Sequence, residues 1–250
     1  MTIRELKQSE PRALPANPTI NDAQETAPLS LWRPPGRSLS SRNVHSRSQG
    51  ACRPSVVGGA DPREIMCESG LEKKVAHFLL THPQVADLRE QPDAVQWLDA
   101  EGTLRRHTFD FLVTLKDGRK LAVAVKPKAR RRRLDQILAA IANQVPTGFA
   151  DGVLVMTDED VPRDVVHNAA LLHHCRRGAN PTHDAIVQRL VATPGRGTVG
   201  QLVAASELGG AGFRAVVRLI ANGTIQVQGG ARIGYDTPVA WAGTTNGEAA

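Results

Sequence analysis

Cysteine is scarce in this chain. Three residues, Cys52, Cys67 and Cys175, are spread over 250 positions with no CxxC pair. An odd, widely spaced set excludes a disulfide framework and a zinc ribbon. Long apolar runs are also lacking: nothing approaches the ~18–20 residues needed to cross a bilayer. The opening segment, MTIRELKQSEPRALPAN, has no apolar signal-peptide core. The expectation is therefore a cytoplasmic protein with no membrane partner. Acid is missing from residues 26–60, where Arg33, Arg37, Arg42, Arg47 and Arg53 recur.

What is present points to a polyanion. The formal net charge is +6, and a basic excess suits double-stranded DNA. A second basic cluster comprises Lys126, Lys128, Arg130, Arg131, Arg132 and Arg133. A charge run is ordinarily a solvated face. This one lies beside the candidate site described below, which favours phosphate contact.

Residues 1–65 are rich in Pro, Ser, Arg and Gly and show no sustained period, so they read as a basic, mostly disordered arm. Leu29, Leu31 and Trp32 are its isolated apolar residues. Order is expected from about residue 68. Ser69 is a good N-cap, and Leu71, Val75, Phe78 and Leu79 recur at helical spacing until His82-Pro83. Strands follow at about 86–90 and 94–98, a turn at 99–102, one strand over 105–115 and another over 119–126. Leu134, Ile137, Leu138 and Ile141 mark a helix, 152–157 (GVLVMT) reads as a buried strand, and 162–176 as a final helix. This order predicts an α/β domain over 66–177 with a mixed sheet flanked by helices.

After a linker at 178–181 the pattern changes. Helices are expected at 184–191, 199–205 and 211–221, then a hairpin of 224–228 with 231–235 joined by Gly229-Gly230. Three short helices and a hairpin make a winged helix-turn-helix over 182–240, with an unstructured tail at 241–250. Arg214 and Arg218 on the third helix are four residues apart, a spacing suited to DNA contact. Docking of a protein partner and packing on the preceding domain are the other readings.

The chemistry lies between Cys67 and Arg133. Alternation along HTFDFLV puts Thr108, Asp110 and Leu112 on one face, with Phe109, Phe111 and Val113 on the core face. An aspartate there needs a metal, a cation or donors. Along LAVAVK, Ala122, Ala124 and Lys126 share a face opposite Leu121, Val123 and Val125. Lys126 then stands on the side of the small alanines, away from the packed face. A lysine so placed can orient a water or stabilise charge growing on a phosphate; it is equally a snorkelling strand-end residue. Glu72 serves either as the acid of a capping box that receives the N-cap N–H or as a metal ligand. Gln91 reads as a buried amide or a polar contact at the site. His107, His173, His174 and His183 lack zinc-module spacing and are expected to be satisfied or exposed.

The segments ESGLEKK, REQP, HTFDFLV and LAVAVK, with the arginine-rich lead-in SRNVHSRS, resemble the TnsA-like endonuclease subunit of heteromeric transposases. That group lies in the PD-(D/E)XK, restriction-endonuclease-like superfamily. The resemblance covers about residues 37–176 and implies that fold, magnesium- or manganese-dependent hydrolysis of DNA at transposon ends, and an integrase-type transposase partner. No small-molecule cofactor is implied. Glu72, Asp110 and Lys126 occupy the catalytic positions. Asp110, Glu72 and the carbonyl of Val125 would hold the metal, one ion or two, with a second harder to support. Two departures stand out: Phe109 replaces the usual proline, and Ala124 replaces the usual Glu or Gln ligand. Three functions follow from these readings: an active endonuclease subunit, a catalytically impaired DNA-binding or transposase-partner subunit, and a stand-alone repair or restriction nuclease.

Overall fold

A computed structural model describes residues 34–41, 53–59, 61–144 and 148–243. Most of the basic arm, with Arg33, Arg42, Arg47 and Trp32, lies outside the described residues, as do Cys52, the side chain of Arg133 and the tail from 244. Residues from Pro35 onward form one compact unit.

Order begins earlier than residue 68. A short antiparallel hairpin pairs β1 (Ser55–Gly58) with β2 (Arg63–Met66). Its strands are four residues each, too short for their alternation to stand out, yet Val56 and Ile65 are buried. Helix α1 (Gly70–Thr81) starts where expected, with the Ser69 hydroxyl accepting the Glu72 N–H at 3.1 Å. It stops at His82, whose N–H returns to Leu79 O.

The central sheet has the order β3 (Val85–Glu90), β6 (Phe111–Leu115), β7 (Lys120–Val125), β8 (Gly152–Met156). The first two pairings are antiparallel and the last is parallel. A parallel pair needs a crossover, and α2 (Arg131–Ala142) supplies it. The succession α1, β3, β6, β7, α2, β8 is a mixed sheet flanked by helices, which fits a restriction-endonuclease-like fold.

The two faces bury different cores. Val75, Ala76 and Leu79 of α1 cover Leu88, Phe111, Val113, Val123 and Val125. On the other face, Leu134, Leu138 and Ile141 of α2 cover Phe109, Ala122 and Ala124. Phe109 and Phe111 therefore lie on opposite faces, against expectation. The segment expected as one strand over 105–115 is two: β5 (Leu104–His107), which pairs with β4 (Val95–Leu98) in a separate ribbon, and β6. The break at residues 108–110 resets the alternation. The face of Ala122 and Ala124 is packed, against expectation, because their small side chains let α2 approach. Lys126 is exposed because it lies one residue beyond the end of β7. Strand β8 is an edge strand, so Val153 and Leu154 are partly exposed instead of buried.

Helix α3 (Arg163–Arg176) packs on α1 and carries the chain into α4 (Pro181–Leu190), β9 (Gly195–Thr198), α5 (Val199–Ser206) and α6 (Gly210–Ala221). Thr198 and Gln201 close a reciprocal capping box on α5. The expected hairpin is displaced. β10 (Gln226–Val227) pairs with β11 (Pro238–Trp241), and β11 pairs with β9. Gly229 and Gly230 both adopt left-handed backbone at φ 68° and 65°, and the chain makes a 3-10 turn there instead of reversing directly. Residues 231–237 then form a loop. The Thr237 hydroxyl donates to Arg232 O at 2.7 Å and accepts the Gly234 N–H at 2.8 Å. Asn168 of α3 holds this loop through Ala231 O and the Ile233 N–H.

Candidate active site at one end of the sheet

The sheet's hydrogen-bond register brings three strand ends together. Glu90 at the end of β3 pairs with Phe111 at the start of β6, which pairs with Val123 near the end of β7. Asp110 sits at this edge. Its N–H donates to Val123 O at 3.0 Å, and its carbonyl accepts the Gln91 N–H at 2.9 Å. Its Oδ2 accepts the Val125 N–H at 2.6 Å. Burial pushes the Asp110 carboxyl up to about 6, the Val125 N–H opposes that, and the Glu72 and Glu68 charges add to it while Lys126 pulls it down.

Glu72 is buried. Its Oε1 accepts from the Ser69 hydroxyl at 2.9 Å and its Oε2 from the Glu68 N–H at 2.6 Å. The expected N-cap N–H is replaced by that of the preceding residue. The capping role is present, and each oxygen keeps a lone pair. Lys126 is exposed, with its N–H on Met156 O at 3.0 Å.

Magnesium takes one or two carboxylates and keeps its remaining waters. Asp110 Oδ1 accepts no hydrogen bond among the described residues, and the site's electrostatics favour an added cation. Among the described residues no group of three or more His, Cys, Asp or Glu side chains is gathered to hold a metal. Ala124 is 1% exposed and supplies only a methyl group. Position 124 therefore adds no ligand to an ion beside Asp110.

Sequence reasoning overlooked two features beside Asp110. Glu90 is fully buried; its Oε1 accepts the Leu39 N–H at 3.0 Å and the Ser38 hydroxyl, while Oε2 has no hydrogen-bond partner among the described residues. Gln91, at φ 37°, is the buried amide that was expected and also braces Asp110. Its Oε1 accepts from the Ser40 hydroxyl at 3.0 Å and its carbonyl from the Ser41 N–H at 3.0 Å. Residues 38–41 form a strap over the Glu90–Gln91 corner. The pattern REQP signalled Gln91, but nothing local signalled that a segment fifty residues upstream would meet it.

The basic residues divide. Lys128 pairs with Glu159 at 2.5 Å, and Arg131 with Asp135 at 3.3 Å. Arg130 and Arg132 are exposed beside the start of α2, which has no side-chain cap and no acid in its first turn. Uncapped N–H groups and arginines together favour an anion. On α6, Arg214 is exposed, but Arg218 is buried. Arg218 meets Asp184 through Nε at 2.9 Å and Nη2 at 2.6 Å, and the carbonyls of Cys175 and Gly178 through Nη1. This removes Arg218 from the DNA-contacting set. Val217 of α6 packs with Cys175 and Leu171 of α3. Helix α6 is thus covered by α3 on one side and by α4 and α5 on the other.

Cys67 is inert as a nucleophile: burial, then the Glu72 charge, pushes its thiol up to about 12. The histidines are not all satisfied. His77, His173 and His174 cluster between α1 and α3, with His77 and His173 ring centroids 5.2 Å apart. His77 Nδ1, His173 Nε2 and His107 Nε2 are buried with no hydrogen-bond partner among the described residues. Burial, then the charge of His173, holds His77 down to about 4. The unfolded chain therefore binds the proton more tightly. Stability is full above about pH 6.5 and is lost as pH falls toward 4. His77→Phe is expected to remove roughly 3 kcal/mol of that loss, measured as the difference between urea midpoints at pH 7.5 and 4.5.

No curated protein matches the chain. Residues 82–145, the stretch that carries Asp110, Lys126 and the start of α2, match the family model of the TnsA-like endonuclease N terminal, which bears out the resemblance over that stretch.

Proposed function

We propose that this chain is the endonuclease-type subunit of a heteromeric transposase, hydrolysing one DNA strand at transposon ends beside an integrase-type partner. The observation that supports this reading is the Asp110 carboxylate held by the Val125 N–H at one sheet end, inside the stretch that matches the TnsA-like endonuclease N terminal. Asp110 and Glu72, with the Val125 carbonyl, would hold a magnesium or manganese ion. When bound, the ion would supply Lewis acidity to a water and to the scissile phosphate. The Val125 N–H fixes the Asp110 carboxylate, and the α1 cap fixes Glu72. Lys126, free to move in solvent, would orient the water or stabilise negative charge on the phosphate. Lys128, Arg130, Arg131, Arg132 and Arg133 would follow the backbone from there. The order α4, β9, α5, α6, β10, β11 supports a winged-helix reading of the C-terminal part, and Arg214 remains as its exposed arginine on α6.

Ala124 favours a second reading, a nuclease-fold subunit that has lost turnover and acts by binding DNA or recruiting the transposase. The methyl lies under Phe109 and Leu134, where a longer side chain must displace packed neighbours. Nicking of supercoiled plasmid by the full chain in magnesium, with and without the partner transposase, separates the two. Cleavage in either mixture is the expected result. Absence from both would sink the hydrolytic reading, and a gain of nicking in Ala124→Glu alone would establish the second.

A further inference from the structure

Among the described residues, nothing covers one face of the β4–β5 ribbon. Its inner residues, Val95 and Trp97, pack against Leu134, Leu138 and Ile141 of α2. Cross-strand partners share a face, so the outer face carries Gln96 opposite Arg106 and Leu98 opposite Leu104. All four are exposed, Leu98 at 48% and Leu104 at 60%. Large apolar residues exposed as a pair in register are costly to leave in water. The ribbon is also held stiffly. The Gln144 side chain accepts the Leu98 N–H at 2.8 Å and donates to Leu98 O at 3.0 Å.

Its charges suit a polyanion. Arg106 has no ion pair among the described residues. Asp99, at the tip of the ribbon, is turned into its own loop by the Thr103 N–H at 2.8 Å and Arg105 Nε at 2.7 Å, leaving its side chain 12% exposed. Glu101 is the remaining acid of the turn. Placement matters too. The ribbon packs on α2, and Leu98 is bonded to Gln144 just past that helix's C-terminal end. A helix of 12 residues spans about 18 Å, roughly half a turn of duplex. Arg130 and Arg132 at one end and the leucine pair at the other would thus meet DNA half a turn apart.

We propose that the outer face of the β4–β5 ribbon is this protein's base-reading surface, lying in the major groove of double-stranded DNA. It rests on the DNA-processing reading above. A two-stranded ribbon fits the major groove, where arginine reads guanine, glutamine reads adenine and apolar groups touch the thymine methyl. Arg106, Gln96 and the pair Leu98 and Leu104 are those three types on one face. Helix α6 is a poorer candidate, because its surface is largely buried against α3, α4 and α5 and Arg218 is internal.

The test is selection of bound duplexes from a randomised pool by the full chain. The parent is expected to enrich a short motif. Gln96→Ala/Arg106→Ala and Leu98→Ser/Leu104→Ser are expected to lose that enrichment, with affinity for the selected duplex falling on the order of ten-fold. Their salt-dependent binding to mixed-sequence DNA and their melting temperatures should stay near the parent's. Arg214→Ala should leave the motif intact. The proposal is overturned if the ribbon variants enrich the parent's motif, or if the parent nicks and binds DNA without enriching any motif; the latter leaves the function standing. A parent that neither binds nor cuts DNA overturns both.

Discussion

Asp110→Asn is expected to cut magnesium-dependent nicking by on the order of 1,000-fold or more while making the protein more stable. The amide oxygen still accepts the Val125 N–H, so the local geometry survives. What disappears is the charge. Burial and the Glu72 and Glu68 carboxylates raise Asp110 to about 6 from 3.8. The folded state therefore binds this proton more tightly than the unfolded chain. The stabilising effect of that proton is full below about pH 4 and is lost as pH rises through 6. The difference from 3.8 to about 6 corresponds to roughly 3 kcal/mol; solvent around the half-buried carboxylate reduces it to about 1–2 kcal/mol. Urea midpoints in EDTA should show the Asn variant ahead at pH 7.5 and level with the parent near pH 4. Equal stability at pH 7.5 together with retained nicking would contradict a cation site at Asp110. His77 titrates in the same pH window with the opposite sign, so the parent's own pH profile is flattened, and the two single variants should diverge.

Arg218→Ala is expected to cost about 3–5 kcal/mol, the largest single-residue loss of stability in the C-terminal part. Truncation leaves the Asp184 carboxylate and the carbonyls of Cys175 and Gly178 without their cation. Those groups join α4, α6 and the end of α3, so three elements loosen together. Arg218→Lys should recover only part of the loss, because an ammonium cannot reproduce the guanidinium fork. Arg214→Ala, on an exposed position, should stay within about 0.5 kcal/mol of the parent. Chemical denaturation of the three variants checks the ordering. If Arg218→Ala were as stable as the parent but weaker on DNA, the original assignment of Arg218 to DNA would return.

Both results turn on what could be seen in the chain before it folded. Local signals were strong where one segment decides its own state. Ser69 and the 3.6-residue spacing of Leu71, Val75, Phe78 and Leu79 marked α1. Lys116-Asp117-Gly118 marked the β6–β7 connection. The alternation in LAVAVK set the two faces of β7. The motif residues Glu72, Asp110 and Lys126 were legible because their types and order, not their contacts, carry the signal.

The misplacements share a cause. Phe109 was set on the face of Phe111 because alternation was extended across a break that only the separate pairing of β5 with β4 creates. The edge exposure of Val153 and Leu154 depends on β8 having a neighbour on one side alone. Arg218 looked like a surface arginine until Asp184, 34 residues away, closed on it. The expected hairpin is displaced because the partner of β10 is β11, a strand that also pairs with β9 from before α5.

The amino-acid sequence by itself determined helices α1 to α6, the connection between β6 and β7, the basic character and the identity of the candidate site residues. Tertiary structure decided which faces are covered, which arginines stay free, that the strap at residues 38–41 locks onto Glu90 and Gln91, and that the ribbon's outer face stays open. Periodicity and capping are properties of a few consecutive residues. Burial and ion pairing depend on which distant segment arrives, and that follows from the whole core packing at once.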